Sequence, residues 1–275
     1  MKQQEINLKS IDGLSLKGLA WFSNDKAIGS VLIVHGLGEH FGRYTHVAKI
    51  MIANNFNVVV YDQRGHGLSE GKRGHSPSQN QLLDDLSLFV SYCKKSFNND
   101  LFVYGHSFGG NVLTTYLMQR ETSHIKAAVI SSAWLKLAFT PSAFKVALAK
   151  IMNYIWPSFS QENDIDSNDL TYVDDLNLQY GEDELVHSRI SASLFLNAHM
   201  SAEWCLKNAN KLTTQSLIIH GEDDPIVSPE GSKLLHQNST CSTIKIWSKT
   251  KHEPHNDLRS EEIITFVCSW FKSIS

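Results

Sequence analysis

Long apolar runs are missing from this 275-residue chain. Nothing approaches the roughly 18 consecutive hydrophobic residues of a membrane span, so no transmembrane helix is expected. The opening Met-Lys-Gln-Gln-Glu-Ile-Asn has no apolar core, which argues against a secretory signal peptide. Cysteine is scarce. Cys93, Cys205, Cys241 and Cys268 are scattered without a Cys-x-x-Cys spacing, so reduced, mostly buried thiols and a cytoplasmic setting are expected. Excess charge is lacking too: a formal net charge of −3 gives no basic surface for nucleic acid. Internal repeats and low-complexity tracts are absent. What remains is 42% hydrophobic and 19% charged, the make-up of an ordinary globular protein. Its length suits one large α/β domain with an insertion, or two small domains.

The most informative stretch runs from Asn99 to Leu113. Leu101 to Tyr104 reads as a buried strand. Gly105-His106-Ser107-Phe108-Gly109 follows, and then a helical pattern with Val112, Leu113, Tyr116 and Leu117 on one face. Gly-x-Ser-x-Gly between a strand and a helix is the arrangement that thrusts a serine hydroxyl out of a sharp turn. Gly105 and Gly109 are expected to allow that turn. The start of the helix leaves N–H groups free where negative charge would develop. The pattern alone is not specific. It needs a base and an orienting acid elsewhere in the chain.

Around it, strand and helix signals alternate. Glu5–Lys9 and Leu14–Phe22 read as a hairpin turning at Asp12-Gly13. Ser30–Val34 and Asn57–Tyr61 read as buried strands, ending in His35-Gly36-Leu37-Gly38 and Asp62-Gln-Arg-Gly-His-Gly67. A helix over about Ser78–Lys95 carries Leu82, Leu83, Leu86, Phe89, Val90 and Cys93 on one stripe. Lys126–Ser131, Ser216–His220 and Thr243–Trp247 complete the strands, and Ser260 opens a closing helix. This order predicts an α/β fold: a mainly parallel sheet flanked by helices, with functional loops at the strands' carboxyl ends. From Ala133 to about Lys211 the rhythm breaks into helix-like segments and polar loops with no buried strand. Residues 134–211 are therefore read as an inserted helical lid, and residues 1–133 and 212–275 as the core. The segment Pro141–Trp156 is its most apolar part, read first as packing and second as membrane contact. An acidic loop over Gln161–Asp169 follows.

Ser107 precedes an acid in the loop after the penultimate strand and a histidine in the loop after the last strand. That is the Ser…Asp…His order of α/β-hydrolases. Asp223 and Asp224 are neighbours; Asp224 is favoured because Pro225 fixes the backbone just after it. His252 and His255 both lie in the last loop, and His252 is preferred as the base. An oxyanion hole needs two backbone donors: the Phe108 N–H, and one from the His35-Gly36 loop, where Leu37 is favoured. His35, His66, His75 and His106 sit in turns and are read as structural. Asp62 and Arg64 are read as a local ion pair. His252-Glu-Pro-His255 lacks the His-Glu-x-x-His spacing of a helical zinc site, so no metal is expected.

The strings His35-Gly-Leu-Gly-Glu-His-Phe-Gly-Arg-Tyr44, Tyr61-Asp-Gln-Arg-Gly-His-Gly-Leu-Ser-Glu-Gly71 and Gly105-His-Ser-Phe-Gly-Gly110 together resemble the monoacylglycerol lipases of the α/β-hydrolase superfamily. Related lysophospholipases and carboxylesterases belong to the same group. The likeness runs nearly end to end and includes Asp183-Glu-Leu-Val-His187, Ala202-Glu-Trp204, Gly221-x-x-Asp224 and His252. It implies Ser107 as nucleophile, Asp224 as acid and His252 as base, with Leu37 and Phe108 as oxyanion donors. It also implies a lipid-ester substrate, no cofactor, and a lid able to touch a membrane surface. Asp183-Glu-Leu departs from the Asp-Pro-Leu more usual in the family, which bears on acyl specificity.

Overall fold

The computed structural model describes residues 2–23, 26–163 and 165–274, and no side chain at 143 or 145. Met1 of the N-terminal segment and Asp164 of the acidic loop lie outside the described residues.

Eight strands form one sheet in the order β1-β2-β4-β3-β5-β6-β9-β10. They are β1 (Lys2–Lys9), β2 (Ser15–Phe22), β3 (Gly29–Val34), β4 (Phe56–Tyr61), β5 (Asp100–His106), β6 (Ile125–Ser131), β9 (Ser216–Gly221) and β10 (Ser242–Trp247). β1 and β2 pair antiparallel, as the hairpin signal predicts, and β2 meets β4 antiparallel; every other pairing is parallel. Strands β3 and β4 are buried along their whole length, and β5 beyond its first residue. This is why they read as continuous apolar runs rather than alternating ones.

Alternate side chains of these strands feed two separate cores. Leu32 and Val34 face α2 (Gln79–Ser96) and α3 (Ser107–Gln119), whose Leu83, Leu86, Phe89, Val112 and Leu113 pack there. Val31 and Ile33 face α1 (Thr45–Ala53) and α8 (Ser260–Ile274), with Val47, Met51, Val267 and Phe271. Each fully buried aliphatic of this kind contributes about 1.5–3 kcal/mol relative to exposure. Helix α7 (Pro229–Gln237) covers β9 and β10, with Leu235 in the first core. Ser78 caps α2 by accepting from the Gln81 N–H, which fixes the start the sequence signals.

Between β6 and β9 lie α4 (Ala143–Ile155), α5 (Asp174–Glu182) and α6 (Ala192–Lys207), and also two short strands that the sequence reading lacks. β7 (Ser160–Glu162) and β8 (Arg189–Ser191) form a small antiparallel ribbon. Three-residue strands are too short to show a period. The apolar helix α4 does not disappear into packing. Its Phe144 is 75% exposed, Tyr154 91% and Ile155 70%, while Leu148 and Met152 line a cavity. Among the described residues no helix is long and apolar enough to cross a membrane.

The reading of Asp62 and Arg64 as an ion pair is overturned. Arg64 bonds Asp85 on α2 (2.6 Å) and Asp12 in the β1–β2 turn (2.8 Å). Asp62 accepts from the backbone N–H groups of Phe41 and Leu68, both at 2.7 Å. One side chain ties a helix to a hairpin, and the other ties two loops together.

Candidate active site

Parallel pairing brings the ends of β3, β5 and β9 to one edge of the sheet, with β10 beside β9. Val34 pairs with Gly105, and Trp247 with Gly221. Ser107 follows β5 directly and opens α3 with φ at 52°, one of four positive-φ residues among the described non-glycines. The serine itself therefore carries the strain of the turn. Gly105 and Gly109 have no positive φ, which corrects the expectation that they allow the bend; they provide clearance instead. A Cβ at Gly109 would land on the carbonyl oxygens of Val34 and His35, and one at Gly105 would come within 2.7 Å of the Gly109 carbonyl oxygen. Any side chain there would push α3 off the sheet.

The hydroxyl of Ser107 lies 2.8 Å from His252 Nε2, and His252 Nδ1 lies 2.7 Å from Asp224 Oδ2. Of the two neighbouring acids it is Asp224 that meets His252, and of the two histidines it is His252 that meets Ser107. Asp223 points outward and accepts from the Tyr172 hydroxyl at 3.0 Å. His255 is fully buried, stacked on Tyr44 with ring centroids 4.8 Å apart. Burial pulls its pKa down to about 3, so it stays neutral. His252 behaves oppositely. Burial pulls its pKa down, but the Asp224 carboxylate outweighs that and the net shift is upward from 6.5. Asp224 is also buried, and its two imidazole neighbours, His252 first, hold it well below the usual carboxylate range.

Leu37 and Ser107 line the same cavity, and a Cβ on Gly36 would come within 3.3 Å of Ser107 Cβ, so the β3 loop lies directly against the serine. Phe108 occupies the first turn of α3, where helix N–H groups lack intrahelical partners. His35, His66, His75 and His106 make none of the hydrogen bonds to Ser107. His35, for example, bonds the Gly36 carbonyl and accepts from the Gln63 N–H.

Sequence reasoning missed a buried charge cluster behind the site. Arg43 bonds Glu39 (2.8 Å) and forms a bidentate pair with Glu253 (2.7 and 2.8 Å). Glu39 in turn accepts from the Gly36 N–H (2.5 Å) and the Tyr44 hydroxyl (2.9 Å). Burial penalises the Glu253 charge, yet Arg43 keeps its carboxyl below the ordinary range. One guanidinium therefore ties the β3 loop to the loop that bears His252. Glu39 and Arg43 stand inside the first quoted string, but no sequence periodicity marks them as partners of Glu253, 210 residues beyond Arg43. Among the described residues no group of three His, Cys, Asp or Glu side chains is arranged to hold a metal ion.

Over Ser107 opens a cavity of about 380 Å³, walled by Leu37, Trp134, Leu148, Met152, Phe195 and Ile226 among others. Part of its wall belongs to the segment between β6 and β9, which is fastened to the loop after β3 by polar contacts. The His187 N–H donates to the Gly38 carbonyl (2.9 Å), and His40 Nε2 bonds Asp183 Oδ2 (2.8 Å).

The fold agrees with comparisons against known proteins. A monoacylglycerol lipase structure from Paleococcus ferrophilus superposes with a TM-score of 0.84 at 32% identity, each chain covered in full. The monoacylglycerol lipase of Mycolicibacterium smegmatis is 26% identical over 98% of both chains. An abhydrolase domain-containing protein of Dictyostelium discoideum is 33% identical over 99% of this chain, which spans 29% of that protein's length. The family described as Hydrolase_4, serine aminopeptidase, S33, matches residues 25–259. With that match over most of its length and this sheet order beneath it, the chain belongs to the Hydrolase_4 family of α/β-hydrolases.

Proposed function

We propose that this chain is a serine esterase that cleaves monoacylglycerols to glycerol and fatty acid through an acyl-enzyme. The observation that carries the reading is the unbroken hydrogen-bonded line Ser107–His252–Asp224 at the floor of an apolar cavity. His252 Nε2 takes the Ser107 proton as the oxygen attacks the ester carbonyl. Backbone N–H groups of Leu37 and Phe108 receive the oxyanion. Asp224 fixes the proton on Nδ1 and stabilises the imidazolium without itself becoming protonated. His252 then protonates the departing glycerol and activates the water that frees the acid. No cofactor or metal enters these steps.

The cavity supports a single acyl chain: about 380 Å³ lies near the lower end of the roughly 300–1,000 Å³ usual for ligand sites. Residues 134–211 act in this reading as a lid over the core of residues 1–133 and 212–275. The outward Phe144, Tyr154, Ile155 and Trp156 on and just after α4 would rest on a lipid surface where such esters concentrate. In this reading the protein is peripheral to membranes in a cytoplasmic setting.

The test is turnover of 1-monoacylglycerols from C8 to C18 beside di- and triacylglycerols, lysophospholipids, nitrophenyl esters and aminoacyl amides, with Ser107→Ala as control. Monoacylglycerols are expected to give the highest kcat/KM. A lysophospholipid or short-chain ester in first place would replace the substrate class. Preference for aminoacyl amides would make the chain a peptidase. A Ser107 that never reacts with a fluorophosphonate would leave only a ligand-binding role.

A further inference from the structure

The carboxylate that serves His252 carries a second imidazole. His220, next to last in β9, is fully buried, with Nε2 3.0 Å from Asp224 Oδ2 and 3.0 Å from the Val227 carbonyl oxygen. Its Nδ1 lies 2.7 Å from the hydroxyl of Ser232 on α7. Both groups facing Nε2 are acceptors, so the ring proton belongs there and the Ser232 hydroxyl donates to Nδ1. Asp224 therefore accepts four hydrogen bonds. The N–H groups of Ile226 and Val227 take Oδ1, each at 2.9 Å. His252 and His220 share Oδ2.

The sharing matters because an aspartate's terminal torsion is broad and only loosely staggered. Backbone donors on Oδ1 alone would let Oδ2 swing, and with it the ring of His252. A donor on Oδ2 that is itself gripped by a helix packed on the sheet removes that freedom. We propose that His220, oriented by Ser232, is a positioning residue of the reaction, holding Asp224 Oδ2 on His252 Nδ1. The line Ser232–His220–Asp224–His252–Ser107 is thus one mechanical unit that reaches from α7 to the nucleophile. No proton passes beyond Asp224, which stays ionised. The proposal rests on the assignment of Ser107, His252 and Asp224 above.

The experiment compares His220→Leu, His220→Gln and Ser232→Ala with the parent protein. It measures kcat and KM on a soluble ester, fluorophosphonate labelling of Ser107, thermal unfolding, and the downfield proton resonance of His252 Nδ1–H. Loss of aim at the reacting centre is worth on the order of 10- to 100-fold, so His220→Leu is expected to lower kcat by that amount with KM little changed. The downfield resonance should shift or broaden. His220→Gln keeps an N–H donor at the same reach and should recover most of the rate. Ser232→Ala should give a smaller loss with a smaller displacement of the same resonance, and it carries the test if the leucine variant does not fold.

An unchanged kcat in folded His220→Leu, or an unmoved resonance in both His220→Leu and Ser232→Ala, overturns the proposal. So does equal loss in the leucine and glutamine variants, which would mark a merely structural residue. If Ser107 of the parent protein fails to label, the catalytic assignment has failed instead, and the two failures are separable.

Discussion

Helices α3 and α4 are both 13 residues long and similarly apolar, yet they end in opposite surroundings. Every residue of α3 from Ser107 to Leu117 is buried, because the helix lies between the sheet, α2 and α6. Helix α4 packs mainly on α6 and leaves Phe144, Ile151, Tyr154 and Ile155 more than half exposed. Apolar composition does not decide burial; the number of neighbouring elements does. The contrast also divides the labour of the site. The region around α3 holds a serine, an imidazole and a carboxylate to hydrogen-bond distance. The region around α4 supplies apolar wall to the cavity and apolar surface to the outside.

The comparison would break first at Ser107. Ser107→Ala is expected to lower kcat by on the order of 10⁶, and Asp224→Asn by about 10⁴, judging from serine proteases with a Ser-His-Asp triad. Asp223→Asn, one residue away but exposed and with its side chain on the Tyr172 hydroxyl, should change kcat by no more than about twofold. Steady-state kinetics on one soluble ester reads all three. A fatal Asp223 variant beside a harmless Asp224 variant would reverse the assignment.

A pH series sharpens the same side. In the proposed mechanism His252 must be neutral to accept the serine proton, and its pKa is raised from 6.5 because Asp224 outweighs burial. Activity is then full above the folded pKa and lost as pH falls through it, so the acid limb of kcat/KM should have its midpoint above 6.5. Asp224→Asn removes the charge that raises it, so the residual activity should show that limb moved to lower pH. An unmoved limb would mean that another group governs it.

The smallest effect is expected on α4. Tyr154→Glu and Ile155→Glu touch exposed positions, so stability should change by no more than about 0.5 kcal/mol. Turnover of a soluble short-chain ester should hold. Turnover of monoacylglycerol presented in zwitterionic vesicles should fall several-fold. Equal loss on both substrates would mean that these side chains shape the cavity and not a lipid contact.

Much of this was legible in the chain. Buried strands with apolar residues at nearly every position announced a parallel sheet, and the 3.6-residue stripe of Leu82, Leu86, Phe89 and Cys93 announced α2. The pattern around Ser107 and the order of Asp224 and His252 were visible because each sits at a strand end. The ribbon of β7 and β8 was not, since three residues carry no periodicity. Arg64 was given the wrong partner because Asp62 is close in sequence, whereas Asp85 and Asp12 are close only in space.

By itself the sequence determined the order of elements, the loops that bear the chemistry, and the residue types offered to it, because those depend on short-range periodicity and on chain order. Only the tertiary structure set Asp224, and not Asp223, against His252. It likewise brought His252 and not His255 to Ser107, placed Arg43 between two carboxylates, and set His220 against Asp224. Hydrogen bonds of this kind depend on where side chains meet after the sheet has closed, and adjacency in the chain carries no record of that.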